Sequence, residues 1–253
     1  MPGAYLLHLP TGATLTASSE DAAYPVDNLK DRQGWRVFRA TSGTAVSISI
    51  DFGTALSCDT VALVNHNLTA GATMSLKAGA TSPPSSVVAT PAYRAHDLWK
   101  AFTATAARYW LLEITDANPA AIQIGQLLLG TRVSLPRARR IGESYKPATM
   151  RQNITGETYG GGKYSYHLHS ARGFNPTFRV LGSQIDIFDT LDAAVRGDVI
   201  PFLYIPDDTE SAAYWVRKEM SFEPVEIDKA GGGIVHDYQM MLIEESRGLE
   251  VME

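Results

Sequence analysis

Cysteine, long apolar runs and excess charge are all scarce in this chain, and each scarcity narrows what it can be. One cysteine, Cys58, stands among 253 residues, which excludes an intrachain disulfide and a cysteine-based metal cluster. Its place ahead of an apolar strand reads as a packed thiol rather than a reactive one. No run approaches the roughly 20 apolar residues of a membrane span. The opening Met-Pro-Gly-Ala-Tyr-Leu-Leu-His-Leu-Pro lacks the basic region and apolar length of a secretion signal. Lys and Arg total 22 against 27 Asp and Glu, a net charge of −5. That is too mild to imply an electrostatic partner, and its sign speaks against nucleic-acid specificity. Signatures of catalysis are missing too. No Gly-x-Ser-x-Gly elbow occurs, and Gly160-Gly-Gly162-Lys163 lacks the spacing of a phosphate loop. His167-x-His169 offers two of the four ligands of a tetrahedral metal site, and its alternation places both on the polar face of a hairpin. Asp207, Asp208 and Glu210 read as a solvated turn after Pro206. The expectation is a protein that is not an enzyme and needs no cofactor.

What is present is alternation. From Ser47 to Leu76 apolar and polar residues alternate along short runs, with turn residues between them. This is the pattern of strands in a β-sandwich. Strands are predicted at Ala45–Phe52, Asp59–Val64, Thr73–Ala78, Val87–Ala89, Leu98–Phe102, Arg108–Thr115 and Gln123–Leu129, after a loop-rich stretch over 1–45. Tyr109 and Trp110 adjoin on one strand, so one faces the core and the other faces out. The fold class is mainly β: a sandwich over 1–131, a basic junction over 132–140, and an α+β unit over 141–253. The junction carries four arginines in nine residues, Arg132, Arg137, Arg139 and Arg140 among them. It reads as a solvated linker or as a strip that meets an acidic neighbour. In the second unit Tyr164, Tyr166 and Leu168 alternate after the Gly160–Gly162 turn. Ser183 is placed to cap a helix in which Ile187, Phe188, Leu191 and Val195 recur at helical spacing, and which ends at Gly197. Phe202–Ile205, Tyr214–Met220, Ser221–Ile227 and Ile234–Ile243 are strands, the last entered through Gly231, Gly232 and Gly233. The sheet is mostly antiparallel.

Binding residues are sought where strands leave the core. Asn65-His66-Asn67 ends a buried strand, where asparagine tolerates left-handed backbone and bonds loop amides. The segment is a structural turn or a contact for sugar or protein. His66 and Asn67, with aromatics such as Trp99, Tyr93, Tyr109 or Trp110 for stacking, form the candidate carbohydrate set.

On these residues the first domain resembles the discoidin-like, or galactose-binding-like, jelly-roll family. The match runs through Ala17-Ser-Ser-Glu20, Tyr24-Pro25, Asn28-Leu29, Asp31 and Arg36-Val-Phe-Arg39. It continues through Ile48–Gly53 and Val61–Leu68 to Arg108–Thr115 and Ile124–Gly130. The resemblance implies glycan or lipid binding at loops on one end and a calcium site in the early loop, with Asn28 and Asp31 matching its oxygen donors. The sequence departs from the family's Asp-Gly-x-x-x-Thr-x-Trp, having Gln33-Gly34-Trp35 after Asp31 and Phe38 at the usual tryptophan. Val-Asn-His-Asn-Leu and Arg-Val-Phe-Arg look like versions found in tail proteins of long-tailed bacteriophages. The second unit is similar, by strand order, to domains that form rings at the tail tip. That resemblance implies a structural virion protein assembled in the host cytoplasm and located at the tail tip or baseplate. It would self-associate into a ring and dock other tail proteins. Arg137, Arg139, Arg140 and Gly231–Gly233 are the candidate assembly residues. The alternative is a carbohydrate-binding adhesin or accessory module that recognises a host-surface glycan.

Overall fold

The structure is a computed structural model that describes residues 3–10, 12–41, 44–117, 121–136, 148–206, 212–221, 225–230 and 233–245. In chain order the strands are β1 (Ala4–Leu6), β2 (Thr14–Ala17), β3 (Phe38–Arg39), β4 (Ala45–His66), β5 (Thr73–Gly79), β6 (Ser86–Ala89), β7 (Leu98–Thr115) and β8 (Gln123–Gly130). There follow β9 (Val133–Ser134), β10 (Ala148–Glu157), β11 (Lys163–Phe174), β12 (Thr177–Leu181), helix α1 (Asp186–Val195), β13 (Phe202–Ile205), β14 (Tyr214–Ser221), β15 (Val225–Ala230) and β16 (Gly233–Glu244). The chain divides into two units. The first takes 1–135, 202–215 and 247–253, and the second takes 136–201 and 216–246. The protein is thus mainly β, with a β-sandwich in one unit and an α+β arrangement with one α-helix among the described residues in the other.

The sandwich of the first unit is built from a seven-stranded antiparallel sheet in the order β3-β8-β4-β7-β5-β6, with β2 against β4. Two pairs of predicted strands are each one long strand. β4 runs 22 residues and β7 runs 18, and their register slips between Asp51 and Leu56 and again between Cys58 and Thr60. Such irregularities bend a strand and raise its twist, and Gly53 at φ 75° eases the turn. Both halves of β4 then line one core, with Val46, Ile48 and Ile50 from the first and Val61 and Leu63 from the second. Trp110, Leu112, Ile114, Ile124 and Phe38 pack among them.

The second half of β4 is buried on its other face as well. Ala62, Val64, Trp99 and Leu128 pack against Ala4 and Leu6 of β1 and Leu203 and Ile205 of β13, with Ala213 and Trp215. β1 lies antiparallel between β9 and β13. This explains why 60–65 is buried without interruption, since a strand covered on both faces loses its alternation. It also changes the expected division: Phe202–Trp215 belongs to the first unit rather than to the second. The segment 1–45, expected as loops, contributes three short strands and the 3-10 turn Val26–Lys30.

In the second unit β16 is central, pairing antiparallel with β11, β12, β15 and the Val216–Ser221 part of β14. α1 lays Phe188, Leu191 and Val195 inward. The Phe188 ring stacks on Tyr238 at 4.1 Å and meets Phe178 at 5.3 Å. The helix begins two residues later than predicted, and Ile187 on it is only partly buried. Gly182–Gln184 forms a 3-10 turn that contains Ser183, and Ile185 occupies the cap position without a side-chain cap. At the other end Arg196 takes the left-handed capping conformation, one residue before the predicted Gly197. The buried Lys218 pairs with Asp192 of α1. Among the described residues no helix is long and apolar enough to cross a membrane.

Candidate functional site

One end of the sandwich gathers the end of β4, the starts of β7 and β8, and the loop before β3. The Asn65–Asn67 segment holds these together. Asn65 sits at φ 52°, a left-handed conformation that asparagine tolerates. Its backbone N–H donates to Asp97 Oδ1 at 3.0 Å, and its Nδ2 donates to the Gly34 carbonyl at 2.8 Å. His66 Nε2 lies 3.0 Å from the His96 carbonyl while its Nδ1 accepts from the Leu68 N–H at 3.3 Å. These partners fix the neutral tautomer with the proton on Nε2. Asn67 donates to the Ala121 carbonyl at 2.7 Å and accepts from the Gln123 N–H at 2.8 Å. Three polar side chains are therefore engaged with the backbone of neighbouring loops, which is the structural-turn alternative of the two left open by the sequence.

Trp99 requires a correction. It was expected among exposed stacking aromatics, but only 7% of it is accessible. It packs with Ala62, Val64 and Leu128 under β1 and β13. The reason is the second layer on β4 and β7, which no local pattern reveals. Trp110 is fully buried and Tyr109 is partly exposed beneath the Arg108 guanidinium, as alternation requires. Tyr93 is half-buried and lies edge-on to His66 at 6.3 Å.

The exposed tryptophan is Trp35, at 61% accessibility. It occupies the tip of a β-turn closed by the Arg36 N–H on the Gln33 carbonyl at 2.9 Å. Two side-chain amides hold this turn from below. Asn65 bonds the Gly34 carbonyl, and Gln126, fully buried within β8, donates through Nε2 to the carbonyls of Gln33 at 3.3 Å and Asn28 at 3.2 Å. Gln126 Oε1 accepts from the Arg32 N–H at 3.2 Å. A Cβ on Gly125 would stand 2.5 Å from the Gly34 oxygen and 2.9 Å from Asn65 Cβ. Only glycine lets the turn seat so closely on β8. Sequence reasoning passed over Trp35 and Gln126. The available signals were a tryptophan within a Gln-Gly-Trp-Arg turn and a glutamine inside an apolar strand.

The early loop does not fit the calcium site that the family resemblance implies. Arg36 pairs with the Asp31 carboxylate and stands where a cation would be. Asn28 turns its Nδ2 onto the Val37 carbonyl at 2.9 Å. Among the described residues no group of three or more acidic, histidine or cysteine side chains is placed to hold a metal. Calcium asks for six to eight oxygens, and the arginine supplies the positive charge instead.

The other candidates lie elsewhere. Arg137, Arg139, Arg140, Gly231 and Gly232 fall outside the described residues, as do Asp207, Asp208 and Glu210 and the side chains of His167 and His169. Gly233 opens β16 opposite Ala230. Burial pushes the Cys58 thiol up to about 12, as a packed cysteine requires.

No family model matches the chain, and no curated protein matches it. Solved structures do. Chitosan-binding module 1 of a chitosanase/glucanase from Paenibacillus sp. IK-5 is 19% identical, with a TM-score of 0.41, covering 47% of this chain and 94% of that one. Module 2 of the same enzyme, in complex with chitotriose, is 18% identical with a TM-score of 0.42, over 47% of this chain and 96% of that one. CpGH89CBM32-5 from Clostridium perfringens, in complex with GalNAc-β-1,3-galactose, is 11% identical with a TM-score of 0.42, over 47% of this chain and 95% of that one.

Proposed function

We propose that this protein is a non-enzymatic binding protein whose first unit takes up a carbohydrate on the rim that presents Trp35. The observation that supports the reading is the exposed indole on a turn whose carbonyls are held by the buried amide of Gln126 and by Asn65. An indole offers a flat apolar face that matches the axial C–H face of a pyranose ring, with an N–H at its edge for a hydroxyl. Fixing the turn that carries the ring before the ligand arrives lowers the ordering cost of binding. His66 and Asn67, the sequence candidates, serve here as supports: they hold the adjoining loops.

Calorimetry and a glycan array on the purified protein test this. One class of oligosaccharide is expected to bind, and Trp35→Ala should weaken it about thirtyfold, the ~2 kcal/mol of a central aromatic anchor. The melting temperature should stay within about 2 °C, because an exposed side chain contributes little to stability. Unchanged affinity in the variant, or no glycan bound by the parent, overturns the proposal.

A second reading rests on the second unit. The β10–β11 hairpin exposes Ile154, Tyr159, Tyr164 and Tyr166, a set of apolar side chains suited to self-association. This favours self-association into an oligomer; a structural role in a virion tail, docking to other tail proteins, is what the sequence resemblance implies for such an oligomer. The two readings are compatible, since a tail component that recognises a host-surface glycan would use both units.

A further inference from the structure

Resting on the carbohydrate reading of the Trp35 rim, we infer that the ligand is an acidic glycan, its anionic group held by Arg32. The first observation is one of charge. Between residues 27 and 36 the charged side chains are Asp27, Lys30, Asp31, Arg32 and Arg36. Lys30 pairs with Asp27 at 2.8 Å, and Arg36 pairs with Asp31. Two acids are thus matched by two bases, and Arg32 is left over. Among the described residues no ion pair or hydrogen bond engages its guanidinium. The segment that carries the exposed indole therefore has one uncompensated positive charge, three residues from Trp35.

The second observation is independent and concerns the backbone. Arg32 adopts φ 66°, a left-handed conformation uncommon for a residue with a long side chain and unstrained for glycine or asparagine. The described chain holds two other such non-glycine residues, Asn65 and Arg196. Asn65 is a tolerant type, and Arg196 closes a helix, where the conformation is ordinary. Arg32 follows Asp31, the C-cap of the 3-10 turn Val26–Lys30, so it too closes a helical turn. Its N–H is fixed on Gln126 Oε1 at 3.2 Å, the same buried amide that holds the Trp35 turn. Asparagine takes this conformation more readily than arginine, so the backbone does not call for an arginine here. A planar guanidinium forms paired charge-assisted hydrogen bonds with a carboxylate, and equally with a sulfate or phosphate ester. The shared chemistry is an anionic substituent on, or next to, the sugar stacked on Trp35.

The experiment compares the intact protein with Arg32→Gln, Arg32→Asn and Trp35→Ala, by calorimetry on three probes. These are an oligogalacturonate, a sulfated galacto-oligosaccharide and a neutral galacto-oligosaccharide of the same length. The expected result is that one or both acidic probes bind at least about tenfold tighter than the neutral one. That preference should shrink with added salt. Both Arg32 variants should abolish it, Arg32→Asn without loss of melting temperature because asparagine relaxes the backbone. Trp35→Ala should weaken every probe that binds by about thirtyfold. Preference for the carboxylate over the sulfate, or the reverse, names the source of the charge. A neutral probe that binds as tightly as the acidic ones, or an acid preference that survives in Arg32→Asn, overturns the inference and leaves carbohydrate binding intact. Failure of every probe with the intact protein overturns this inference, and the glycan array then decides the carbohydrate reading by itself.

Discussion

The two units each expose aromatic side chains, and they support them in opposite ways. In the first, Trp35 stands on a turn bonded to the buried Gln126 and to Asn65, which bond its carbonyls from two different strands. In the second, Tyr164 and Tyr166 project from a two-stranded ribbon, 65% of Tyr166 being accessible. Their rings meet each other at 5.6 Å, and that of Tyr164 lies over Gly156, in space that a Cβ there would need. β10 pairs along its length with β11, and its register shifts between Gln152 and Asn153. The difference teaches how much of a binding surface is made before the partner arrives. A single indole on a fixed turn is preorganised for a small rigid ligand. A ladder of tyrosines on a ribbon offers area, and it suits a partner large enough to order it. The exposed edge of β10 adds backbone groups that another strand can pair with.

The largest expected effect breaks the support and leaves the aromatic in place. Gly125→Val puts a branched side chain where even a Cβ would stand 2.5 Å from the Gly34 carbonyl oxygen. The turn must lift off β8, stranding the amides of Gln126 and Asn65. Overpacking and unsatisfied buried amides each cost about 1–3 kcal/mol. A melting temperature lowered by several degrees should accompany loss of carbohydrate binding although Trp35 is untouched. If binding survives in Gly125→Val, the rim is not preorganised by this contact, and the contrast with the hairpin disappears.

A smaller effect tests the other side of the contrast. The double substitution Tyr164→Ser and Tyr166→Ser removes two exposed rings that bury little within the unit. Sedimentation should show a self-association equilibrium moved about tenfold toward monomer, in line with the loss of one or two aromatic contacts at an interface. Carbohydrate binding should not change. A parent protein that is monomeric at every concentration, with the double variant identical to it, removes the assembly reading.

Much of this arrangement was legible in the sequence, and the parts that were not share a cause. Alternation marked the sandwich strands and required one of Tyr109 and Trp110 to face the core, because a half-buried strand writes its environment into its own residues; which one, Trp110, only the structure shows. It joined nothing across distance. That Ala4–Leu6 pairs with Phe202–Ile205 is written in neither segment, and this pairing buries Trp99 and moves 202–215 into the first unit. Loops have no period, so Trp35 read only as a departure from an expected calcium motif. Gln126 was hidden for the opposite reason: the apolar run Leu127–Leu129 beside it explained the strand so well that a buried amide within it went unread. The helix was plain from Ile187, Phe188, Leu191 and Val195, while its start lay two residues later than a serine cap suggests.

The smallest expected effect separates the charge that holds the sandwich from the neutral amides that hold the rim. Arg108 bonds both oxygens of Asp51, at 2.8 and 2.9 Å, where β4 breaks its register. The Gly53 N–H donates to the same carboxylate at 2.7 Å. These contacts, the arginine first, hold the Asp51 carboxyl down at about 2, against about 3.9 for an unfolded aspartate. A lowered folded pKa stabilises above the unfolded value, and that contribution fades as pH falls from about 4 toward 2. The pair is exposed, so the effect is small. Asp51→Asn should flatten the decline of melting temperature between pH 4 and pH 2 by a degree or so, and leave carbohydrate binding at pH 7 unaltered. Gln126 and Asn65 do not titrate, so their bonds to the Gln33 and Gly34 carbonyls should persist across that range. Acrylamide quenching of the exposed Trp35 should then stay constant with pH while the fold persists. A quenching change near pH 3 in the parent that disappears in Asp51→Asn would show that the charged bend of β4 and the amide-held rim act as one structure.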